Sequence, residues 1–135
     1  MKVFLEHLNN RSEHIKFNME VEEDNQIHFL DILITKRNGG TLGHQVYRKK
    51  THTDKYLHAD SHHIPTKKTG VINTLVTRAI RISDKDHLNK ELDHLSKAFL
   101  MNGYNINQIK KVIQRERSKS QNQIKNIDGS KITLP

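Results

Sequence analysis

The chain has 135 residues and only 33% apolar residues, so one thin core is expected and a complete multidomain polymerase is excluded. It has no cysteine, which excludes disulfides and cysteine-based zinc fingers. The absence of cysteine favours an intracellular protein, and we expect it in the nucleus. No apolar run reaches the length of a membrane span, so no membrane partner is expected.

Positive charge is concentrated in two regions of the chain. Residues 31–70 carry eight positive and three negative charges, and residues 102–135 carry seven and two, whereas residues 1–30 are net negative. Clustered Lys and Arg side chains bind a phosphate backbone by releasing its counterions. The charge pattern therefore predicts a nucleic-acid partner, and ordinary solubilising charge is the alternative.

The first thirty residues predict a short helix and a strand. Val3, Phe4 and Leu8 share one helical face, and the helix is expected to stop at Asn9-Asn10. The alternation of apolar and polar residues from Ile15 to Val21 is typical of a strand with one exposed face.

Residues 27–50 contain two β-rich runs joined by Asn38-Gly39-Gly40, which predicts a β-hairpin. Asp31 lies inside the first apolar run, where a buried carboxylate needs a partner. We expect Asp31 to pair with Arg48 or a neighbouring lysine.

The hydrophobic period becomes helical from Lys67 onward. We expect three helices: one from Lys67, one capped by Ser83, and one that starts at Asn105. The predicted class is α+β, with a short N-terminal helix, a small antiparallel sheet with a hairpin, a three-helix bundle and a mobile tail. The predicted regions are 1–66 (sheet), 67–118 (helices) and 119–135 (mobile linker).

The segment Thr51–His63 (THTDKYLHADSHH), called here the histidine-rich segment, contains four histidines and two aspartates. Zinc needs three or four converging ligands, and the segment has neither His-Glu-x-x-His nor cysteine. We therefore predict no metal, no cofactor and no catalytic residue, and expect the histidines to bind backbone or phosphate groups. A metal-dependent enzyme centred on this segment is kept as an alternative.

Residues 84–118 have the outline of a helix-turn-helix, with Gly103 in the turn and a basic second helix. Phe99 stands where such turns usually have a small residue, which puts major-groove reading by Lys110, Lys111 and Arg115 in question. A plain three-helix bundle is the alternative interpretation.

Three blocks of sequence resemble the reverse transcriptases of Penelope-like retroelements, over roughly residues 4–115. They are FLDILI (29–34), TLGHQVYRKKTHTDKYLHADSHH (41–63) and FLMNGY (99–104). The resemblance implies that residues 1–66 are the end of a palm with a primer-grip-like hairpin, and that the helices are a thumb.

The resemblance also implies a template-primer duplex or hybrid as partner, together with a polymerase palm that is missing from this chain. The chain has no Tyr-x-Asp-Asp segment for catalytic metals, so by itself it is not expected to be an enzyme. His28 and Lys50 stand where the family often has proline, which suggests a drifting copy, and we expect a fragment truncated at both ends. The residues predicted to contact nucleic acid are Arg48, Lys49, Lys50, Lys55, Lys67, Lys68, Arg78, Lys110, Lys111 and Arg115.

Two further alternatives are a stand-alone helix-turn-helix module that binds DNA, and a non-functional transposon remnant. The module would show sequence preference at the third helix. The remnant would lack a cooperative unfolding transition.

Overall fold

The structure is a computed structural model that describes residues 1–130. It contains a short helix, a three-stranded antiparallel sheet and three longer helices, so the predicted α+β class is confirmed. The elements are α1 (Lys2–Asn9), β1 (Gln26–Phe29), β2 (Ile32–Lys36), β3 (Leu42–Val46), α2 (Pro65–Ile82), α3 (Lys85–Met101) and α4 (Ile106–Ser130).

The predicted strand between Ile15 and Val21 is wrong. The segment joins no sheet of the described chain, and its four apolar side chains are 39–65% exposed. The backbone of Phe17 forms its hydrogen bonds with the side chain of Asn9 instead of with a strand. This side chain accepts from the Phe17 N–H at 2.6 Å and donates to the Phe17 carbonyl at 3.0 Å. Alternating apolar and polar residues predict one apolar face, but a strand forms only where a neighbouring strand supplies hydrogen bonds to its backbone.

The predicted hairpin is confirmed as β2 and β3, with Lys36 opposite Leu42 and Gly40 at a φ of 79° in the turn. The apolar run before it is two strands rather than one. The chain reverses at Leu30, whose φ is 53°, and β1 pairs with β2 in antiparallel register. Asp31, a residue type common in turns, lies at this reversal, but the apolar residues on both sides and the lack of glycine, asparagine and proline favoured one continuous strand.

Asp31 therefore lies in the turn between β1 and β2 and not inside a strand. Its carboxylate is 66% exposed and pairs with Arg78 of α2, with Nη2 and Oδ1 3.1 Å apart. The predicted partners, Arg48 or a neighbouring lysine, are wrong because the turn directs Asp31 toward α2.

Asp84, and not the predicted Ser83, caps α3. The Asp84 carboxylate accepts from the N–H groups of Asp86 and His87, as an N-cap residue does. The same carboxylate accepts from the His44 N–H at 2.9 Å and from the Arg37 guanidinium at 2.7 Å. One side chain thus starts α3 and fastens β3 to it.

The hydrophobic core lies among the three long helices. Its largest fully buried side chains belong to all three: Phe99, Ile72, Leu95, Ile109 and Val76. Helices α2 and α4 run in the same direction, since Thr69 contacts Gln108 and Thr77 contacts Glu116 further along both helices. Their N-termini therefore lie at the same end of the bundle.

The irregular tail predicted from residue 119 is wrong as far as residue 130, because α4 continues without a break to Ser130. The segment contains no proline, and Lys and Gln favour a helix once preceding turns have formed it. Residues 131–135 of the predicted linker lie outside the described residues. No helix within the described chain is both long enough and apolar enough to cross a membrane.

Candidate nucleic-acid interface

The histidine-rich segment is bound to the turn between α3 and α4. The buried side chain of Asn102 accepts from the Tyr56 N–H at 3.0 Å and donates to the carbonyls of Asp54 and Ala98 at 2.8 and 2.7 Å. The Asn102 carbonyl accepts from the Ala59 N–H at 2.9 Å. Contacts therefore cross the predicted boundary at residue 66, and the segment before α2 forms part of the helical unit.

The two residues that follow Asn102, Gly103 and Tyr104, also contact the histidine-rich segment. Gly103 has a φ of 84°, and a Cβ there would lie 2.8 Å from Cε1 of His58. The Tyr104 hydroxyl donates to the Leu57 carbonyl at 2.7 Å. Phe99, which the sequence suggested would crowd the turn, points into the core with its ring 6.0 Å from that of Tyr104.

The segment does not gather its histidines into one site. His52 and His94 both contact Oδ1 of Asp54, with Nε2 at 2.9 and 3.0 Å, while His62 and His63 are exposed. Burial raises the pKa of the Asp54 carboxyl, but the hydrogen bond from His94 and nearby positive charge outweigh it, and the pKa lies below its usual value. Within residues 1–130, no group of three or more potential ligands is arranged to hold a metal ion.

Three of the ten predicted contact residues are engaged inside the protein. Arg48 forms a two-bond pair with Glu91, which raises the pKa of the guanidinium, and its side chain is only 21% exposed. Arg78 is paired with Asp31, and the Lys68 ammonium donates to a backbone carbonyl at 2.6 Å. These three cations stabilise the fold and have limited freedom to reach a phosphate.

The other seven predicted residues are exposed, and they lie on three parts of the chain. Lys49, Lys50 and Lys55 lie on the connection that leaves the sheet. Lys67 lies in the first turn of α2, at the same end of the bundle as the N-terminus of α4. The remaining three are on α4: Lys110, Lys111 and Arg115.

The outward surface of α4 is polar and lacks acids over its first ten residues. Ile109 and Val112 face the core, whereas Asn107, Lys111 and Gln114 are exposed. Asn105 precedes the helix, and its side chain accepts from the Asn107 N–H at 2.8 Å. Asn, Gln and Lys are residue types that read base edges in a major groove. This surface is named the α4 face and comprises Asn107, Lys110, Lys111, Gln114 and Arg115.

Sequence reasoning missed three cations near the α4 face. Arg81 is exposed on α2, Arg117 donates to Asn89 of α3, and Lys119 contacts Glu116. Lys119 was missed because α4 was expected to end before it. The helical phase of α4, extended past residue 118, would have placed Arg115 and Lys119 on neighbouring turns of one side.

Residues 55–114 match the family model of an animal helix-turn-helix domain. The matched region begins in the histidine-rich segment, includes α2 and α3, and ends within α4. Neither the comparison with curated proteins nor that with solved structures finds a match. The chain is thus similar to animal helix-turn-helix domains over less than half of its length.

Proposed function

We propose that this protein binds duplex nucleic acid as a helix-turn-helix module in which α4 enters a groove. The observation that carries the proposal is the α4 face, which presents three cations and two carboxamides and contains no acid. The similarity to animal helix-turn-helix domains supports the same function. The lysines and arginine would neutralise phosphates, and Asn107 and Gln114 would contact base edges.

The rigid turn supports this role for α4. A recognition helix can select bases only if its angle to the rest of the domain is held constant. Asn102, Tyr104 and His58 tie the turn to the histidine-rich segment, so the N-terminus of α4 is held in place from two sides.

Fluorescence anisotropy with a labelled DNA duplex tests the proposal. Lys110→Gln combined with Lys111→Gln should weaken binding by about tenfold or more, since two phosphate contacts are lost. The matched control is Lys49→Gln combined with Lys50→Gln, which removes the same charge from the sheet connection and should leave binding nearly unchanged. Equal losses in both double variants would exclude α4 as the binding element.

Sequence selection distinguishes a base-reading module from a backbone binder. Asn107→Ala and Gln114→Ala should change which sites are enriched from a random duplex library while leaving total binding nearly intact. A uniform loss across all sequences would remove the base-reading part of the proposal.

The second candidate is the thumb of a Penelope-like reverse transcriptase that holds a template-primer and cooperates with a palm on another chain. It is favoured by the contact between two of the resembling blocks, since Tyr56 and Asn102 belong to one block each. A thumb binds backbone, so it should accept an RNA–DNA hybrid as readily as DNA. It should also lose affinity when Lys49 and Lys50 are replaced, and a strong preference for one DNA sequence would contradict it.

A further inference from the structure

A groove between α2 and α4 lies beside the α4 face, shares Arg115 with it and carries further positive charge. Two overlapping cavities, of about 550 and 230 Å³, run along it. Cations from both helices line the groove together with one carboxylate: Arg78, Arg81, Arg115, Lys119 and Glu116. Arg78 is neutralised by its pair with Asp31, but the other three cations around the single acid of the groove still leave an excess of positive charge in a concave surface, where an anion is strongly attracted.

Glu116 lines both cavities of this groove and accepts hydrogen bonds from three donors. Its Oε1 accepts from Nε of Arg115 at 3.2 Å and from Nζ of Lys119 at 3.0 Å, and its Oε2 accepts from the Thr77 hydroxyl at 3.3 Å. The Glu116 side chain is only 11% exposed, whereas those of Arg115 and Lys119 are 49% and 59% exposed. The hydrogen bond from Lys119, followed by that from Arg115, keeps the pKa of Glu116 below its usual value, so the carboxylate is ionised at neutral pH.

The donors around Glu116 are those that a phosphate group uses. Arginine binds phosphate oxygens through parallel N–H groups, lysine supplies a point charge, and a threonine hydroxyl donates a further bond. Two more guanidinium groups, from Arg78 and Arg81, line the same groove. Arg78 already pairs with Asp31, whereas Arg81 is exposed and has no ion pair within the described residues.

We propose that the α2–α4 groove is a phosphate-binding subsite and that Glu116 is an internal competitor for its cations. The proposal rests on the function proposed above and adds to it a second contact, beside the α4 face. A nucleic-acid phosphate that enters the groove takes over the donors of Arg115 and Lys119 from Glu116. The carboxylate thereby limits affinity, and removing its charge strengthens binding.

The direct test is Glu116→Gln, which keeps the side-chain shape and the contact with Thr77 but removes the negative charge. Binding of a short DNA duplex, measured by anisotropy at low salt, should tighten by about three- to tenfold, the effect of one charge removed near a phosphate. The matched control is Glu22→Gln, which makes the same change of charge in the exposed N-terminal segment and should alter affinity less than twofold. Thermal melts confirm that both variants fold.

Arg81→Gln removes a positive charge from the groove, whereas Glu116→Gln removes a negative one. It should therefore weaken duplex binding about threefold or more. Unchanged or weaker binding by folded Glu116→Gln would overturn the proposal, even if the wild-type protein binds duplex through the α4 face. Duplex binding through the α4 face would remain possible in that case. Failure of the groove proposal can therefore be distinguished from failure of the proposed function.

A second measurement separates nucleic acid from free phosphate as the source of the anion. Inorganic pyrophosphate is titrated into the wild-type protein while the Nε–Hε resonances of Arg81 and Arg115 are followed by NMR. Shifts with both duplex and pyrophosphate support a subsite for backbone phosphate. If duplex does not bind but pyrophosphate shifts these resonances, the subsite stands as a site for free phosphate groups. Absence of shifts with either probe overturns it.

Discussion

Asn102 and Tyr56 are 46 residues apart in the chain, and the side-chain oxygen of Asn102 accepts the Tyr56 N–H at 3.0 Å. This bond joins the turn between α3 and α4 to the segment that precedes α2. The histidine-rich segment is therefore a structural part of the helical unit.

Asn102→Ala should destabilise the protein by about 2–3 kcal/mol, because the Tyr56 N–H and the Asp54 carbonyl lose their partner in a largely buried site. Urea unfolding measures the effect, and Asn107→Ala, at an exposed position of α4, is the control with a change below about 0.5 kcal/mol. Similar stability of the two variants would show that the segment is not fastened to the turn.

Gly103→Ala should also destabilise the protein, by about 1–2 kcal/mol, because its φ is positive and the added methyl group meets the His58 ring. The double variant Gly103→Ala with His58→Ala removes the clash but keeps the backbone strain. In a double-mutant cycle, the loss caused by Gly103→Ala should be smaller in the His58→Ala background. A loss of equal size in both backgrounds would contradict the observed packing of His58 on Gly103.

Arg48→Met should destabilise the protein by about 3–5 kcal/mol, because it leaves the buried Glu91 carboxylate without its cation. The double variant Arg48→Met with Glu91→Met should recover most of that loss, since no charge is then left buried. Denaturant midpoints compare the two. A double variant no more stable than Arg48→Met would mean that the cost comes from lost packing and not from charge.

Asp84 predicts a pH dependence of stability. Burial raises its pKa, but hydrogen bonds from His44 and His87 outweigh this effect and hold the pKa well below its usual value. A carboxylate with a depressed folded-state pKa stabilises the protein above its unfolded-state pKa, and this contribution disappears as pH falls through the folded-state pKa. Wild-type stability should therefore decrease below about pH 5.

Asp84→Asn should be less stable at pH 7 by about 1–3 kcal/mol and should lose less than the wild type on acidification. Asp93→Asn, an exposed position of α3, is the control and should follow the wild-type pH curve. Urea midpoints between pH 7 and about pH 3 provide the comparison. If the urea midpoints of Asp84→Asn and the wild type decrease equally as the pH falls, the Asp84 carboxylate is not the source of the pH dependence.

Hydrophobic period predicted the three long helices, and the turn residues Asn38-Gly39-Gly40 between two β-rich runs predicted the β2–β3 hairpin. Ile72, Val76, Leu95, Phe99 and Ile109 repeat at helical spacing, and all of them are buried. The spacing of apolar residues along one helix can be identified without knowledge of the other elements.

The failures concern contacts between distant residues. The predicted strand at residues 15–21 has no neighbouring strand to pair with among the described residues. Arg48 and Arg78 form ion pairs with carboxylates that are distant in the sequence, Glu91 and Asp31. A count of charged residues does not distinguish cations in internal ion pairs from cations free to bind a phosphate. The predicted interface therefore included residues of both types.

Salt dependence of duplex binding tests the central claim about the α4 face most directly. If about four phosphates are contacted, the logarithm of the association constant should fall with that of salt concentration at a slope near about −3.6. The slope should become shallower by about 1.8 in the variant with Lys110→Gln and Lys111→Gln, which removes two of those contacts. No duplex binding at low salt, or an unchanged slope in this variant, would contradict the claim.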